Sequence, residues 1–357
     1  MAYLDSTVWN DIQDENAVDI ARRPKLGLVD AVKDGTPFID FLSPSAKKQL
    51  SEISSLRDIK FPYLKDQEIT VVTTPGFDFI PSNLPESGTY SFNVYDVFSG
   101  LRHHPSSYDN NVVDGMYARN SQMLNVAYKM GQTIEGIVAA RLEERKTQKL
   151  EHLIQINQGD GTYAFDTGVT NVLSVNKAGQ KETMFSNLTQ LMEANEVGGN
   201  YRIVTNPAGL AVQKHEALKY SANNDKNLAA LGFFTPEQMY ESRSISGGSD
   251  VFNGWLLRDG SIGLYENYPF DFRQGTVVNG KKWSISDVEI PFTRLRANIY
   301  TNSEATDSTA MIGGDSNGIM TTFEEMAIWT RFYVVFPVND DLVNRSNDIV
   351  KIKGTVA

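Results

Sequence analysis

The sequence contains no cysteine, which excludes disulfide bonds, thiolate metal sites, iron–sulfur clusters and thiol catalysis. It also lacks an excess of positive charge, because 33 Lys and Arg face 44 Asp and Glu and the formal net charge is −11. This balance excludes a protein whose main role is to hold nucleic acid on a broad basic surface, and it does not exclude local basic patches. No apolar run approaches the ~18 residues that a membrane-spanning helix needs.

The first residues, MAYLDSTVW, lack the basic-then-apolar pattern of a secretory signal. We therefore expect a protein that is made and kept in a cytoplasm, or assembled there. The composition is that of a folded protein, with 41% apolar and 22% charged residues in a chain of 357. A chain of this length is expected to form two or three domains with a sizeable core.

Proline is unevenly distributed along the chain. Eight of the 13 prolines lie in the first 105 residues, and none lies between 106 and 206. Because proline interrupts helix interiors and central strands, the first part is predicted to be extended and the next part is free to be helical. Residues 1–44 are typical of an extended arm with short helical pieces, and a short helix is predicted over Ser45–Arg57.

Residues 60–108 predict one long antiparallel hairpin. Its limbs, Glu68–Thr73 and Thr89–Phe98, are rich in β-branched and aromatic residues. In the second limb the alternation of apolar and polar residues changes phase at Tyr95, which predicts a β-bulge.

The tip of this hairpin carries three apolar residues within a segment rich in proline and glycine: Phe77, Phe79 and Ile80. A two-stranded ribbon is only marginally stable alone in water. We therefore expect its apolar residues to pack against a surface of the same subunit or of another one.

Residues 114–157 predict a long helix, with Asp114 as the N-cap and Gly159 as the stop signal. At ~1.5 Å per residue such a helix would be ~66 Å long. Its apolar residues recur every three or four positions and would share one face: Met116, Met123, Ala127, Met130, Ile134, Ile137, Val138 and Leu142.

Helices and strands are predicted to alternate in the rest of the chain. Asn206 is the predicted N-cap of a helix over Pro207–Tyr220, with proline in its first position. The other predicted elements are a helix over Thr183–Val197, a strand over Tyr201–Thr205, hairpins over Trp255–Tyr265 (around Asp259-Gly260) and Val277–Ile285 (around Asn279-Gly280), and strands within 288–300, 331–338 and 348–356.

Short motifs with known chemistry are incomplete in this sequence. Ser316 lies in a literal G-x-S-x-G, but all four histidines precede it, whereas a nucleophile elbow needs an acid and then a histidine downstream. The pair His215-Glu216 begins a zincin-like motif in which Lys219 stands where the second histidine is required. We interpret the first as a flexible turn and the second as part of a helix surface.

Four further patterns are interpreted in the same way. Gly275–Lys281 spells G-x-x-x-x-G-K, but Lys282 follows where a phosphate loop needs Ser or Thr, so a hairpin is favoured. Residues 109–115 place glycine one position late for a calcium loop, and His103-His104 would point to opposite faces of a strand. The charged segment 141–149 is predicted to be a solvated helix face with neighbouring pairs Arg141–Glu144 and Glu143–Lys146, rather than a nucleic-acid or lumen-facing surface. We expect no catalytic residue, cofactor or metal.

The order of the predicted elements resembles that of the major capsid proteins of tailed phages, with the Hong Kong 97-type fold. The segments that carry this resemblance are the hairpin 60–108, the helix 114–157, YRIVTNPAGLAVQKHEAL (201–218), WLLRDGSIGLYENYPFDFR (255–273) and TTFEEMAIWTRFYVVFPVN (321–339). The resemblance covers nearly the whole chain and concerns its layout rather than a signature of invariant residues.

The resemblance implies an α+β, Hong Kong 97-like capsid fold in five parts. These would be an N-terminal arm (1–59), an extended β-hairpin loop (60–110), a peripheral domain with the spine helix (111–182), an axial domain (183–287) and returning strands of the peripheral domain (288–357). Phe77, Phe79 and Ile80 would then be contacts between subunits at the loop tip.

The function that this implies is a self-assembling subunit of an icosahedral phage head. Its partners would be further copies in hexamers and pentamers, portal, scaffolding and decoration proteins, and packaged double-stranded DNA held without sequence specificity, with no membrane. The shell would be part of the virion and assemble in the host bacterial cytoplasm. The alternatives are an encapsulin-like nanocompartment shell, a soluble α+β enzyme with an unrecognised site, and another virion part such as a tail tube.

Overall fold

The computed structural model of the protein describes residues 25–34, 44, 59–64, 87–103, 115–146, 155–157, 162–163, 172–175, 184–195, 200–212, 214, 239–246, 251–266, 277–278, 281–290, 293–306, 322–336 and 348–355. Within these residues two main sheets pack with three helices, which confirms the α+β fold class. The helices are α1 (Gly27–Asp34), α2 (Gly115–Arg145) and α3 (Met184–Ala194).

The strands are numbered in chain order. A six-stranded sheet contains, from one edge, β1 (Ile59–Leu64), β2 (Ser87–His103), β14 (Thr322–Val335), β13 (Leu295–Thr306) and β12 (Ser284–Ile290), and β9 (Gly263–Glu266) pairs with the end of β14. A five-stranded sheet contains β5 (Val172–Val175), β15 (Ile349–Thr355), β8 (Val251–Arg258), β6 (Tyr201–Thr205) and β7 (Met239–Glu241). Two short pairs are formed by β3 (Gln155–Asn157) with β4 (Thr162–Tyr163) and by β10 (Val277–Val278) with β11 (Lys281–Lys282).

The predicted apolar face of the long helix is confirmed. Its buried residues recur at helical spacing and join the largest core cluster: Met123, Ala127, Met130, Ile134, Val138 and Leu142. The predicted end of the helix is wrong, because α2 ends at Arg145 and residues 155–157 form β3. Within the described residues, the last buried position of this face is Leu142, and the exposed charged residues 143–145 follow it.

A short helix within the segment expected to be an arm is part of the core. The sequence predicts short helical pieces in residues 1–44, and α1 is one of them. Its apolar side chains are at most 2% exposed and pack in the same cluster as those of α2. The predicted helix over Ser45–Arg57 lies outside the described residues.

The strand β2 has two different partners along its length. Residues 87–92 pair with β1 and residues 93–103 pair with β14, both in the antiparallel sense. The predicted bulge at Tyr95 is wrong, because pairing with β14 continues without a register shift from Asn93 to His103. The change of phase at Tyr95 therefore does not come from a bulge, and β2 changes its partner strand just before it, between Phe92 and Asn93. The predicted first limb, Glu68–Thr73, lies outside the described residues.

The predicted hairpin over Trp255–Tyr265 is wrong, although its turn is present. Gly260 adopts a positive φ of 82°, as the Asp259-Gly260 sequence predicts. The strands on either side belong to different sheets, because β8 pairs with β15 and β6 while β9 pairs with β14. The chain thus passes from one main sheet to the other at this turn.

Several local predictions are confirmed. The backbone N–H of Gly209 donates to Asn206 Oδ1 at 3.0 Å, so Asn206 caps the helical residues 207–212. The short hairpin of β10 and β11 lies where Asn279-Gly280 predicts it, and the predicted strands near the C-terminus correspond to β12–β15. The predicted strand 288–300 is divided between β12 and β13 by a turn that follows Pro291.

The five-stranded sheet is buried on both faces. Trp255, Leu257 and Ile349 point to the cluster that contains α1 and α2. Leu256, Val350 and Ile352 point to a second cluster with Leu188, Leu191 and Met192 of α3. Burial on both sides explains why apolar residues occupy consecutive positions in these strands, as at Leu256 and Leu257 and at Ile349 and Val350. No helix in the described part of the chain is long and apolar enough to cross a membrane.

Two glycines of α2 allow a matched stability test. A Cβ at Gly131 would lie 2.6 Å from Leu26 Cδ1 and 3.2 Å from Thr293 Cγ2, whereas a Cβ at Gly136 would meet no atom within 4 Å. Gly136→Ala should raise the free energy of unfolding by about 0.5–1 kcal/mol, because alanine favours the helix. Gly131→Ala should lower it, because overpacking costs about 1–3 kcal/mol. Denaturant unfolding of both variants would measure the difference, and equal effects would contradict the close packing of Leu26 and Thr293 on α2.

Candidate interaction surface

The ribbon of β1 and β2 extends the six-stranded sheet beyond its body. Six consecutive residue pairs join the two strands, from Ile59 with Phe92 to Leu64 with Ser87. At ~3.4 Å per residue this ribbon is ~20 Å long. Within the described residues, β1 pairs with β2 alone. The predicted tip residues Phe77, Phe79 and Ile80 lie outside the described residues, so their role stays a prediction.

The two faces of β2 differ strongly in exposure. Tyr95, Val97 and Leu101 pack in the core cluster with α2. The alternate residues face outward, and Phe98 is one of them. Among the large hydrophobic residues of the described part of the chain, Phe98 is the exposed one, at 66%. Aromatic residues such as phenylalanine are enriched at contacts between proteins relative to the rest of the surface.

A polar network fixes the aromatic ring that lies opposite Phe98. Trp329 of β14 is the cross-strand partner of Phe98, and its Nε1–H donates to Asp96 Oδ1 at 2.9 Å. Arg331 Nε donates to the same carboxylate oxygen at 2.7 Å, and the Arg331 guanidinium carbon lies 5.0 Å from the centre of the Trp329 ring. The Arg331 side chain is 1% exposed and that of Asp96 is 32% exposed.

This arrangement suits recognition by contact. Because Asp96 and Arg331 hold Trp329 in one orientation, little side-chain entropy would be lost when another surface covers Phe98 and Trp329. Tryptophan is also one of the residue types that contribute most to binding energy at protein interfaces. We name Asp96, Phe98, Trp329 and Arg331 the aromatic patch.

A second charged site joins the end of α2 to the five-stranded sheet. Lys351 Nζ lies 3.7 Å from the centre of the Trp255 ring and 3.7 Å from Glu143 Oε2. Burial is the main cause that lowers the pKa of Lys351 to about 8, and the neighbouring Glu143 carboxylate opposes it. Lys351 therefore links α2 to β15 through an ammonium group that has little contact with water.

The other candidates from the sequence have separate outcomes. The predicted ion pairs Arg141–Glu144 and Glu143–Lys146 are present, but the Arg141 side chain is only 14% exposed, so this end of the helix is less solvated than expected. Residues 147–149 of the predicted face lie outside the described residues. Lys281 and Lys282 lie in the hairpin strand β11, as expected from a turn rather than a phosphate loop. Ser316, His215 and His104 lie outside the described residues. No group of three or more His, Asp or Glu side chains that could hold a metal ion occurs in the part of the chain that the structure describes.

The aromatic patch was not predicted from the sequence. Its members come from β2 and β14, which are separated by more than 200 residues, so no local spacing relates them. One signal was present, because Arg331 directly precedes the apolar run Phe332–Phe336, where a charge needs a partner. The sequence does not indicate that Asp96 is that partner.

No family model matches the chain, and no curated protein matches it. The chain resembles solved structures from phages. These include the capsid structure of the cyanophage P-SCSP1u (11% identity, 85% of each chain covered, TM-score 0.44) and a chain of Mycobacterium phage Che8 (8% identity, 89% of this chain and 90% of that one, TM-score 0.43). The capsid of Ralstonia phage GP4 is also similar (9% identity, 84% of each chain, TM-score 0.39).

Removal of the Asp96 carboxylate tests the network under the aromatic patch. Asp96→Ala leaves the Arg331 guanidinium buried without its anion, which costs about 3–5 kcal/mol for a buried pair. We expect the lower end of this range because Asp96 is partly exposed. The matched control is Arg102→Ala, which breaks an exposed pair with Glu325 and should cost below about 1 kcal/mol. Chemical denaturation measures both, and a loss for Asp96→Ala no larger than for the control would contradict the network.

Proposed function

We propose that this chain is a major capsid protein of a tailed phage with the Hong Kong 97-type fold, and that its copies assemble into an icosahedral head around double-stranded DNA. The observation that carries the proposal is a chain that leaves surfaces uncovered by its own described residues. A ribbon ~20 Å long continues past the sheet, and Phe98 stands exposed beside a fixed tryptophan.

The layout of the described elements supports the same proposal. A long strand leaves the ribbon and enters the body sheet, the 31-residue helix α2 follows and packs on that strand, and a second sheet and α3 come next. This is the order of loop, spine helix and axial domain that the sequence resemblance implies. The boundaries at 59, 110, 182 and 287 stay part of the proposal.

Weak contacts repeated many times can close a symmetric shell. Buried apolar area contributes about 25 cal/mol per Å², less the costs of association and ordering. The partners in this proposal are further copies in hexamers and pentamers, with portal, scaffolding and decoration proteins. The net charge of −11 suits a container that holds packaged DNA without gripping it. In this proposal the chain is not an enzyme.

Assembly tests the loop-tip contacts directly. The double variant Phe77→Ser and Phe79→Ser should lower the yield of closed particles at least about tenfold, because each lost anchor removes apolar area in every copy. Ser316→Ala is the matched control and should assemble normally, since the G-x-S-x-G segment has no catalytic role in the proposal. Negative-stain electron microscopy and light scattering of the purified chain measure the yield. Normal particles from the double variant would contradict loop anchoring.

The unchanged chain provides the test of the function as a whole. Closed shells with a portal and packaged DNA are expected from the infected cell, whereas shells enclosing enzymes would indicate the encapsulin-like alternative. Open rings or tubes would indicate a tail component. A stable monomer under all conditions of concentration and salt would contradict the proposal and favour a soluble enzyme.

The aromatic patch gives a second assembly variant. Phe98→Ser should leave the free energy of unfolding within about 0.5 kcal/mol, because the side chain is mostly exposed. The same change should reduce particle yield, because an apolar contact of each copy is lost. Circular dichroism with denaturant and particle counts measure the two effects. Normal yield would remove the patch from the set of subunit contacts and leave the loop-tip test unaffected.

A further inference from the structure

A buried carboxylate in the middle of α2 connects three separate parts of the chain. Glu135 is 0% exposed. Its Oε1 accepts a hydrogen bond from the backbone N–H of Leu28 at 2.9 Å, and its Oε2 accepts from Ser242 Oγ at 3.0 Å and Ser244 Oγ at 2.6 Å. The side chain therefore joins α2 to the first turn of α1 and to the segment that follows β7.

The helix α1 depends on these contacts. It has eight residues, which is too short for a stable helix in isolation. Its first-turn N–H groups have no acceptors within the helix, and Glu135 supplies one for Leu28 from another element. The chain also approaches closely here, because a Cβ at Gly27 would lie 2.4 Å from the Glu241 carbonyl oxygen.

The hydrogen-bond partners of Glu135 allow the carboxyl group to be charged or neutral. The Leu28 N–H can only donate, and Oε1 accepts it in either state. A serine hydroxyl can both donate and accept, so a protonated Oε2 could donate to Ser242 or Ser244 in place of accepting from it. The site is therefore satisfied in both states, and the states differ in the cost of burying a charge.

We propose that Glu135 is a proton-regulated latch, in which uptake of one proton by the carboxylate strengthens the docking of residues 25–34 onto α2. The latch is built from the Glu135 carboxyl group, the N-terminal turn of α1 and the two serine hydroxyls. It is a property of the single chain and does not depend on the proposed function.

Burial is the main reason why the surroundings of Glu135 favour the neutral form. Burial is the largest cause that raises its pKa, hydrogen bonds from Ser244, Leu28 and Ser242 lower the pKa, and the nearby Asp30 carboxylate raises it. The partial positive charge at the start of α1 acts in the opposite direction to burial. Of the other charged residues on the adjoining elements, Lys33 is paired with Glu266, Arg243 is exposed, and Glu241 meets Gly27 through its backbone.

The sign of the pH effect follows from this direction. The pKa of Glu135 is higher when α1 is docked than when the segment is detached and solvated, so the docked state binds the proton more tightly. Docking is therefore strongest below the ordinary glutamate pKa and weakens as the pH rises through the pKa of the docked state. One unit of pKa difference corresponds to roughly a tenfold change in the equilibrium between docked and detached segments.

Hydrogen–deuterium exchange of a peptide covering residues 26–33 tests the latch in the full chain. After correction for intrinsic exchange rates, protection should fall as the pH rises above the ordinary glutamate pKa, because burial raises the pKa of Glu135 in the docked state. Glu135→Gln keeps the Leu28 hydrogen bond and imitates the neutral acid, so its protection should be high and independent of pH. Protection of a peptide from β8 serves as the internal reference. An unchanged pH dependence in Glu135→Gln would overturn the proposal.

Two variants that leave Glu135 in place provide an independent measurement. Ser244→Ala removes a donor to the carboxylate and should move the midpoint of the pH profile upward. Asp30→Asn removes a like charge and should move it downward. A structural role alone would lower protection at every pH without opposite shifts of the midpoint. Midpoints that stay in place in both variants would overturn the proposal even if Glu135→Gln does not fold.

Discussion

The buried apolar face of α2 is the contact on which the rest of the structure depends. Its side chains pack against the core face of β2, and the end of the helix reaches β15 through Glu143 and Lys351. Each fully buried Val, Leu, Ile or Met contributes about 1.5–3 kcal/mol relative to exposure. The face also receives α1, so one helix supports both main sheets and the segment nearest the N-terminus. The aromatic patch lies on the face of β2 opposite to the face that packs on α2.

Features that depend on neighbouring residues could be predicted from the sequence. The spacing of apolar residues predicted the buried face of α2. Asn206 followed by proline predicted a helix N-cap, and the Asn206 side chain accepts the hydrogen bond expected of such a cap. The turn at Asp259-Gly260 was predicted for the same reason. Turn and cap chemistry is decided within a few residues, so a single sequence contains the information.

Features that depend on distant residues could not be predicted. The strands beside the Asp259-Gly260 turn pair with β14, β15 and β6 rather than with each other, and 55 residues separate β9 from β14. The change in apolar and polar alternation near Tyr95 is present in the sequence, but the bulge inferred from it is absent. Pairing with β14 is continuous from Asn93 to His103, and the sequence does not show that β2 changes its partner strand just before this point. Glu135 and Asp96 look like ordinary surface carboxylates in the sequence, and only the fold reveals that each is held by donors from other elements.

The passage from β8 to β9 has a mechanical consequence. Only four residues, 259–262, separate a strand of one main sheet from a strand of the other. Their backbone is anchored, since Asp259 N–H donates to the Asn200 carbonyl at 2.9 Å and Ser261 N–H donates to the Arg258 carbonyl at 3.0 Å. Because this connection is short and hydrogen-bonded, it allows little relative movement of the two strands that it joins. A tilt of one sheet would therefore displace the other sheet through this connection. We expect the two sheets to move together rather than independently.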